Sequence, residues 1–171
     1  MKIPASLDIR PTQDRVKESI FSSIGGQIEE KNVLDLFAGS GSLGLEALSR
    51  GAGLVYFIDR SLQAIQLIKS NMHVLPIDSS QYTIIRADAV HFLETCKDLC
   101  WDMIFLDPPY RIADRVMEKI FYILAQKKIT HSKTLIIYQY FFKKRLDFAT
   151  KKFNIVKESS FGDKKVSYLT P

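Results

Sequence analysis

The feature that most constrains the fold is a short apolar run followed directly by closely spaced glycines. Residues 33–37, Val-Leu-Asp-Leu-Phe, predict a buried strand. Gly39, Gly41 and Gly44 follow, and residues 45–48 are good helix formers. Glycines let the backbone turn sharply and approach a ligand without a Cβ in the way. Strand, glycine turn and helix together predict the entry to a nucleotide site, although this spacing does not identify the nucleotide.

The rest of the chain alternates apolar runs with amphipathic stretches. Further strands are predicted at residues 54–59, 82–86, 101–106, 134–138, 153–157 and 166–169, the last two as an antiparallel pair. Helices are predicted at residues 13–24 with Thr12 as N-cap, 42–50, 61–73, from Asp88, 113–126 and 143–149. This alternation predicts a mostly parallel sheet with helices on both faces. We expect a single domain over residues 1–171, with a short segment, 1–11, before the first helix.

Composition and charge narrow the class of protein. Hydrophobic residues make up 46% and charged residues 25% of the chain, which is typical of a globular protein. No apolar run approaches the roughly 20 residues of a membrane span, and the N-terminus lacks an apolar signal region. We therefore expect a cytoplasmic protein without a membrane partner. The net charge of +5 is compatible with a nucleic-acid partner, and equally with a lysine-rich surface.

The cysteines and histidines predict no metal site. Cys96 and Cys100 are four residues apart and no further ligands follow at metal-binding spacing. We expect both to be reduced thiols on one face of a helix. The three histidines are scattered along the chain, and we expect a monomer without metal.

Three aspartates near strand ends are candidate ligand-binding residues. Asp59 lies 20 residues after Gly39 and could accept hydrogen bonds from ribose hydroxyls, or favour a helix N-terminus. Asp88 could accept an adenine amino group or merely cap a helix. Asp35 interrupts an apolar strand, so its buried carboxylate needs glycine-loop amides or a cationic ligand group. Since ligands bind at the carboxyl ends of such strands, Gly39, Asp59 and Asp107 should face one cleft.

The most specific signal is Asp107-Pro108-Pro109-Tyr110, directly after a predicted strand. Two prolines lack N–H donors, which leaves a carboxylate and peptide carbonyls as acceptors. Such a site suits an –NH₂ group with a delocalised lone pair. Hydrogen bonds from that amine to Asp107 and the Pro108 carbonyl build charge on its nitrogen as it attacks. Tyr110 can stack on a planar base, and the alternative is a rigid turn with a surface tyrosine.

These motifs resemble a known family. The pattern D-x-F-A-G-x-G at residues 35–41 with a later D-P-P-Y resembles the S-adenosylmethionine-dependent amino-methyltransferases. Residues 10–18 (RPTQDRVKE), 34–52 (LDLFAGSGSLGLEALSRGA) and 161–163 (FGD) are similar to the RsmD family in particular. That family methylates N2 of a guanine in 16S ribosomal RNA. The resemblance implies a Rossmann-like class I methyltransferase fold with a seven-stranded sheet, and a partner that is 16S rRNA or the small-subunit particle.

The resemblance also implies roles for individual residues. Asp35 and the loop with Gly39, Gly41 and Gly44 would hold the methionine part of S-adenosylmethionine. The remaining cofactor contacts would be Asp59 for the ribose, Asp88 and Ala89 for the adenine, and Phe37 and Arg60. Asp107, Pro108 and Tyr110 would hold the target guanine. Arg10, Thr12 and Arg15 would lie near the cofactor or the RNA.

The sequence departs from the family pattern at two places. Only nine residues precede Arg10, where family members carry a basic, glycine-containing segment thought to grip RNA. Gln139 replaces an acid at the end of a strand. Three alternatives stay open: a DNA adenine or cytosine amino-methyltransferase, an oxidoreductase domain that binds NAD, and an RNA-binding module without activity. The basic residues 143–145 either contribute to an RNA grip or form a solvated helix face.

Overall fold

The computed structural model describes residues 11–73, 75–97, 99–144 and 146–171. The strands in these ranges are β1 Asn32–Asp35, β2 Leu54–Asp59, β3 Tyr82–Arg86, β4 Trp101–Leu106, β5 Thr130–Phe141, β6 Asn154–Phe161 and β7 Lys164–Thr170. The helices are α1 Pro11–Ile24, α2 Ser42–Ser49, α3 Leu62–Met72, α4 Ala89–Thr95, α5 Asp114–Gln126 and α6 Asp147–Thr150. Short 3-10 helices cover Gly25–Ile28 and Ser79–Gln81.

The strands form one seven-stranded sheet in the order β3-β2-β1-β4-β5-β7-β6. All neighbouring strands are parallel except β7, which runs antiparallel to both β5 and β6. The chain crosses the sheet between β3 and β4, so β1 and β4 are neighbours from opposite halves. In doubly wound sheets ligands bind outside the carboxyl ends of the strands at this reversal. The predicted Rossmann-like sheet with a closing antiparallel pair is therefore confirmed.

Side-chain alternation along the central strands creates two apolar cores, one on each face of the sheet. Val33 and Met103 point to the core that also contains the apolar face of α1. Leu34 and Ile104 point to the opposite core, together with the apolar face of α5. Because both faces are covered, the central strands read as continuous apolar runs rather than as alternating ones. This burial fixes the strand ends from which the polar side chains project.

Several predicted boundaries are correct and others are wrong. The predicted ranges of β2, β3 and β4 match the structure, and Ser61 caps α3 by accepting a hydrogen bond from the Ala64 N–H. The first strand ends at Asp35 rather than at Phe37, so Leu36 and Phe37 belong to the turn that follows. Thr12 is not an N-cap, because the helix includes Pro11, a residue well suited to a first helical turn.

The predicted helix over residues 143–149 is wrong. A turn occupies residues 142–144, and only the four residues of α6 are helical. The turn follows from β5, which is longer than predicted and pairs with β7 as far as Phe141. Cys96 and Cys100 do not share a helix face either, because α4 ends at Thr95; Cys96 is buried and Cys100 is exposed. Among the described helices, none is long and apolar enough to cross a membrane.

Candidate active site

A cleft of about 1220 Å³ opens at the carboxyl ends of the parallel strands, where the sheet reverses. Four aspartates line it, one from the end of each of four neighbouring strands: Asp35, Asp59, Asp88 and Asp107. Gly39 lines the same cleft, so the prediction that Gly39, Asp59 and Asp107 face one cleft is confirmed. The site is thus assembled from residues more than 70 positions apart by parallel strand pairing alone.

The three glycines after β1 have different tasks. Gly39 and Gly41 adopt positive φ angles of 53° and 79°, a conformation that other residues rarely take. A Cβ on Gly39 would meet no side chain, so this residue leaves the cleft floor open. A Cβ on Gly44 would lie 2.2 Å from the ring of Phe57, because α2 packs directly on β2 there. Gly41 and Gly44 do not line the cleft, and they shape the turn from behind it.

Asp35 ties the end of β1 to the start of α2. Its carboxylate is buried, and Oδ2 accepts a hydrogen bond of 3.0 Å from the Gly44 N–H. Burial raises the pKa of Asp35 to about 7, against the lowering effect of the Gly44 hydrogen bond; the charges of Asp107 and Asp59 add to the rise. The predicted glycine-loop partner is confirmed. A carboxyl group with this pKa favours a cationic ligand nearby, which would stabilise its ionised form.

Asp59 and Asp88 are also held by backbone amides. The Asp59 carboxylate accepts hydrogen bonds from the N–H groups of Gly39 (2.9 Å) and Ser61 (2.8 Å), one on each oxygen. It therefore joins the glycine loop to the start of α3. Asp88 caps α4 by accepting hydrogen bonds from the N–H groups of Val90 and His91. Each carboxylate oxygen has two lone pairs, so both side chains keep accepting capacity towards the cleft.

Asp107 has a different environment from the other three aspartates. Its side chain makes no hydrogen bond to any residue in the described ranges, and the next two residues, Pro108 and Pro109, have no N–H to offer. Withdrawal from bulk water raises the pKa of Asp107 to about 6, while the nearby positive charge of Lys164 opposes that rise. A carboxylate with unfilled acceptor positions therefore faces the cleft.

Aromatic and cationic groups form the wall beside Asp107. Tyr110 is 51% exposed, and its ring packs edge to face against Phe141 with 6.4 Å between centroids. The ammonium of Lys164 lies 5.2 Å from the centroid of the Tyr110 ring. Lys164 is only 5% exposed. The predicted π-face of Tyr110 is thus present at the cleft, and a lysine that the sequence did not single out lies over it.

These residues divide the cleft into two parts. We call Asp35, Gly39, Asp59 and Asp88 the glycine-loop half. We call Asp107, Pro108, Tyr110, Phe141 and Lys164 the proline-motif half. All of them line the same cleft, and the boundary between them is the β1–β4 pair.

The other predicted residues are less uniformly placed. Phe37, Arg60 and Ala89 line the cleft with the glycine-loop half, and buried Gln139 lines it at β5. Arg15 is exposed on α1 and does not line it. Arg10 and the side chain of Thr12 lie outside the described residues. Sequence reasoning assigned no role to Asp14 and Lys17 of α1, which line the cleft, and Lys144 from the basic residues 143–145 lines it as well.

Within the described ranges, no group of three or more histidine, cysteine, aspartate or glutamate side chains could hold a metal ion. The four cleft aspartates lie on separate strand ends and do not form such a group.

Comparison with known proteins gives a family match. A family model described as conserved hypothetical protein 95 matches residues 1–170. A curated relative, ribosomal RNA small subunit methyltransferase D of Haemophilus influenzae, is 40% identical over 112 residues, which cover 64% of this chain and 58% of the relative. The chain spans about three fifths of the length of the curated relatives that it matches.

Several solved structures share the fold. The Escherichia coli protein yhhF has a TM-score of 0.83 and 26% identity, and the match covers 95% of this chain and 88% of that one. A Thermus thermophilus 16S rRNA N2 G1207 methyltransferase, solved with AdoMet and guanosine, has a TM-score of 0.79 and 17% identity, with coverage of 97% and 44%. At that identity the second likeness concerns the fold alone. The sheet is therefore a Rossmann-like class I methyltransferase fold, as predicted.

Proposed function

The chain belongs to the family described as conserved hypothetical protein 95, and we propose that it transfers a methyl group from S-adenosylmethionine to N2 of a guanine in 16S rRNA. The relatives named ribosomal RNA small subunit methyltransferase D agree with its resemblance to the RsmD family. The observation that carries the proposal is Asp107, a carboxylate without a hydrogen-bond partner among the described residues, at the end of β4 and next to two prolines.

The glycine-loop half suits S-adenosylmethionine. Gly39 leaves open floor where a Cβ would otherwise project, and buried Asp35 favours a positively charged neighbour. These two residues would hold the methionine part, together with Phe37. Asp59, which has accepting capacity left, would hold the ribose. The adenine would lie by Asp88, Ala89 and Arg60, which line the same cleft. The cofactor, when bound, supplies a methyl group already activated on a sulfonium.

The proline-motif half suits a guanine amine. N2 of guanine is a weak nucleophile because its lone pair is delocalised into the ring. Asp107 and the Pro108 carbonyl would accept its two hydrogens, so that negative charge builds on nitrogen as the nitrogen–carbon bond forms. Methylation releases one N2 proton, and the raised pKa of Asp107 suits that carboxylate to take it. Tyr110 would stack on the base and fix its plane.

Positioning supplies most of the expected rate enhancement. The methyl group must pass in line from sulfur to nitrogen, and neighbouring strands hold the two halves at a fixed separation. Paired strands β1 and β4 run side by side as far as Asp35 and Phe105. The backbone N–H of Leu36 donates to the Phe105 carbonyl just before the two halves diverge.

RNA is the proposed macromolecular partner, free or in the small-subunit particle. The net charge of +5 favours a polyanion, and Lys17, Arg60 and Lys144 line the cleft. An enzyme with this substrate would work in the cytoplasm, where ribosomes assemble. The predicted monomer stays a prediction. A titration with S-adenosylmethionine and NAD in parallel calorimetry experiments tests the oxidoreductase alternative, and binding of NAD alone would favour it.

Genetic restoration tests the proposed function. A strain lacking its RsmD-type enzyme lacks one N2-methylguanosine in 16S rRNA, and expression of this chain should restore it. The matched control is Asp107→Ala, which should bind the cofactor and fail to restore the modification. Methylation of duplex DNA without methylation of the rRNA would instead support the DNA amino-methyltransferase alternative. Failure of the wild-type chain to restore the guanine modification would overturn the proposal.

A further inference from the structure

Lys164 is the least expected side chain of the cleft. It begins β7 and pairs with Phe141 on one side and Phe161 on the other, so its backbone is fixed in the sheet. Only 5% of the residue is exposed, yet its ammonium makes no hydrogen bond or ion pair with any residue in the described ranges. A donor without a protein acceptor in the described ranges therefore lines the cleft, where a bound ligand can supply one.

The surroundings of this ammonium identify the ligand group. The charge of Lys164 acts on Asp107, and its Nζ lies 5.2 Å from the centroid of the Tyr110 ring. A base that stacks on Tyr110 would take the position of the ammonium over that ring. The displaced ammonium then needs an acceptor at the edge of the same base, and its flexible four-carbon stem lets it reach one.

We propose that Lys164 determines the specificity for guanine by donating a hydrogen bond to its carbonyl oxygen O6. The inference rests on the proposed function. Guanine carries the N2 amine, the ring N1–H and O6 along one edge, and single-stranded bases are read on such edges. Asp107 complements the two donors and Lys164 complements the acceptor. Adenine has no carbonyl beside its amine, and its ring nitrogen would face the carboxylate.

The direct test is a thermodynamic cycle in which Lys164 and the guanine oxygen O6 are changed separately and together. Small-subunit rRNA is transcribed with either guanosine or 6-thioguanosine, which keeps N2–H and N1–H and replaces O6 with a weaker acceptor. Wild type and Lys164→Met are assayed on both RNAs for methyl transfer into N2. The sulfur also affects RNA folding, but it does so equally for both enzymes. This effect therefore cancels when the ratio of the rates on substituted and normal RNA for the variant is divided by the same ratio for the wild type.

For wild type we expect transfer to fall about tenfold or more on the sulfur-substituted RNA, the scale of one hydrogen bond to a charged group. Lys164→Met should lose a similar factor on normal RNA and nothing further on the substituted RNA. Lys164→Gln, which keeps a donor, should recover part of the loss. Lys165→Met is the matched control, because this neighbouring lysine does not line the cleft, and it should show the full sulfur effect.

Two further measurements separate the outcomes. Calorimetry with S-adenosylhomocysteine confirms that each variant is folded, because the glycine-loop half is untouched. Equal sulfur effects in wild type and Lys164→Met, with a loss that grows with salt, would overturn the inference in favour of a phosphate contact. Absence of N2 transfer by wild type on normal RNA would overturn the proposed function itself. If the wild type methylates N2 but the effects of Lys164→Met and of the sulfur substitution are additive, only the role of Lys164 is overturned.

Discussion

The two halves of the cleft differ in the hydrogen-bond partners of their charged side chains. In the glycine-loop half, Asp35, Asp59 and Asp88 each accept hydrogen bonds from backbone amides of the loops and helices that follow. In the proline-motif half, the side chains of Asp107 and Lys164 make no hydrogen bonds to the described residues. One half is therefore pre-organised by its own backbone, and the other leaves an acceptor and a donor to be satisfied by a ligand.

The difference follows from the residues that come after each strand. After β1, β2 and β3 the chain enters helices. The first N–H groups of a helix have no hydrogen-bond partner within the helix, so they donate to nearby acceptors such as these carboxylates. After β4 it enters two prolines, which remove those donors. The same strand-end position thus gives a carboxylate held by backbone amides in three cases and, in the fourth, one without a hydrogen-bond partner among the described residues. The comparison predicts that mutations in the two halves will separate cofactor binding from methyl transfer.

The largest expected effect comes from Asp107→Ala. Loss of the acceptor that builds charge on the amine should lower the rate of transfer by about 10²- to 10³-fold, the scale for removal of one such group. Cofactor affinity should change little, because no residue of the glycine-loop half is altered. Single-turnover kinetics and calorimetry measure the two quantities. Asp163→Asn is the control, since this exposed aspartate lies outside the cleft, and equal activity of Asp107→Ala would refute the assigned role.

The second prediction is a variant that loses cofactor affinity and keeps its rate of transfer. Asp59→Ala removes two charge-assisted hydrogen bonds and the proposed ribose acceptor, so cofactor affinity should fall by about tenfold to a hundredfold. The rate at saturating cofactor should remain near that of the wild type. The control is Asp78→Asn, because Asp78 caps a surface turn through Ser80 and does not line the cleft. A large loss of rate with unchanged affinity would show that the halves are not separate.

The third prediction concerns stability rather than chemistry. Gly44→Ala places a Cβ 2.2 Å from the buried Phe57 ring, so either that ring or α2 must shift. The free energy of unfolding should fall by about 1–3 kcal/mol, the usual cost of overpacking. Gly26→Ala is the matched control, because nothing lies within 4 Å of its Cβ position. Urea denaturation of both variants decides the point, and equal stabilities would mean that the helix is not held as described.

The smallest predicted effect is a pH dependence of transfer. In the proposed mechanism the carboxylate of Asp107 is the active form, and its pKa is raised to about 6, so activity should be lost below pH 6 rather than below pH 4. The rate at saturating cofactor should fall about tenfold per pH unit on that limb. Lys164→Met should move the limb to higher pH, because the charge that lowers the pKa of Asp107 is gone. A flat profile down to pH 5 would contradict this assignment.

Much of this organisation could be predicted from the sequence. The ranges of β2, β3 and β4 are marked by apolar runs with sharp polar ends, and parallel pairing then places their terminal aspartates side by side. The spacing between Gly39 and Asp59 predicted a common site, and the structure joins them directly by a hydrogen bond. These features depend on local patterns and on the topology that such patterns imply.

What could not be predicted depends on distant contacts. Residues 143–149 have good helix propensity, but the extension of β5 along β7 places a turn there. Lys144 also reaches back to the Ile112 carbonyl and the Asp114 carboxylate. Lys164 could not be assigned to the cleft from the sequence, because only the register of β7 against β5 brings it to Tyr110. The Phe161-Gly162-Asp163 motif directly before Lys164 contains the turn between β6 and β7, so this motif was the available sequence signal for the position of the lysine.

Identification of the modified nucleoside tests the central claim most directly. Purified chain is incubated with 16S rRNA and labelled S-adenosylmethionine, and the RNA is then digested and analysed by mass spectrometry. The account predicts a single labelled product, N2-methylguanosine, at one position, and none with Asp107→Ala. A methyl group on adenine or cytosine, or transfer that survives Asp107→Ala, would show that the proline-motif half does not hold a guanine amine as described.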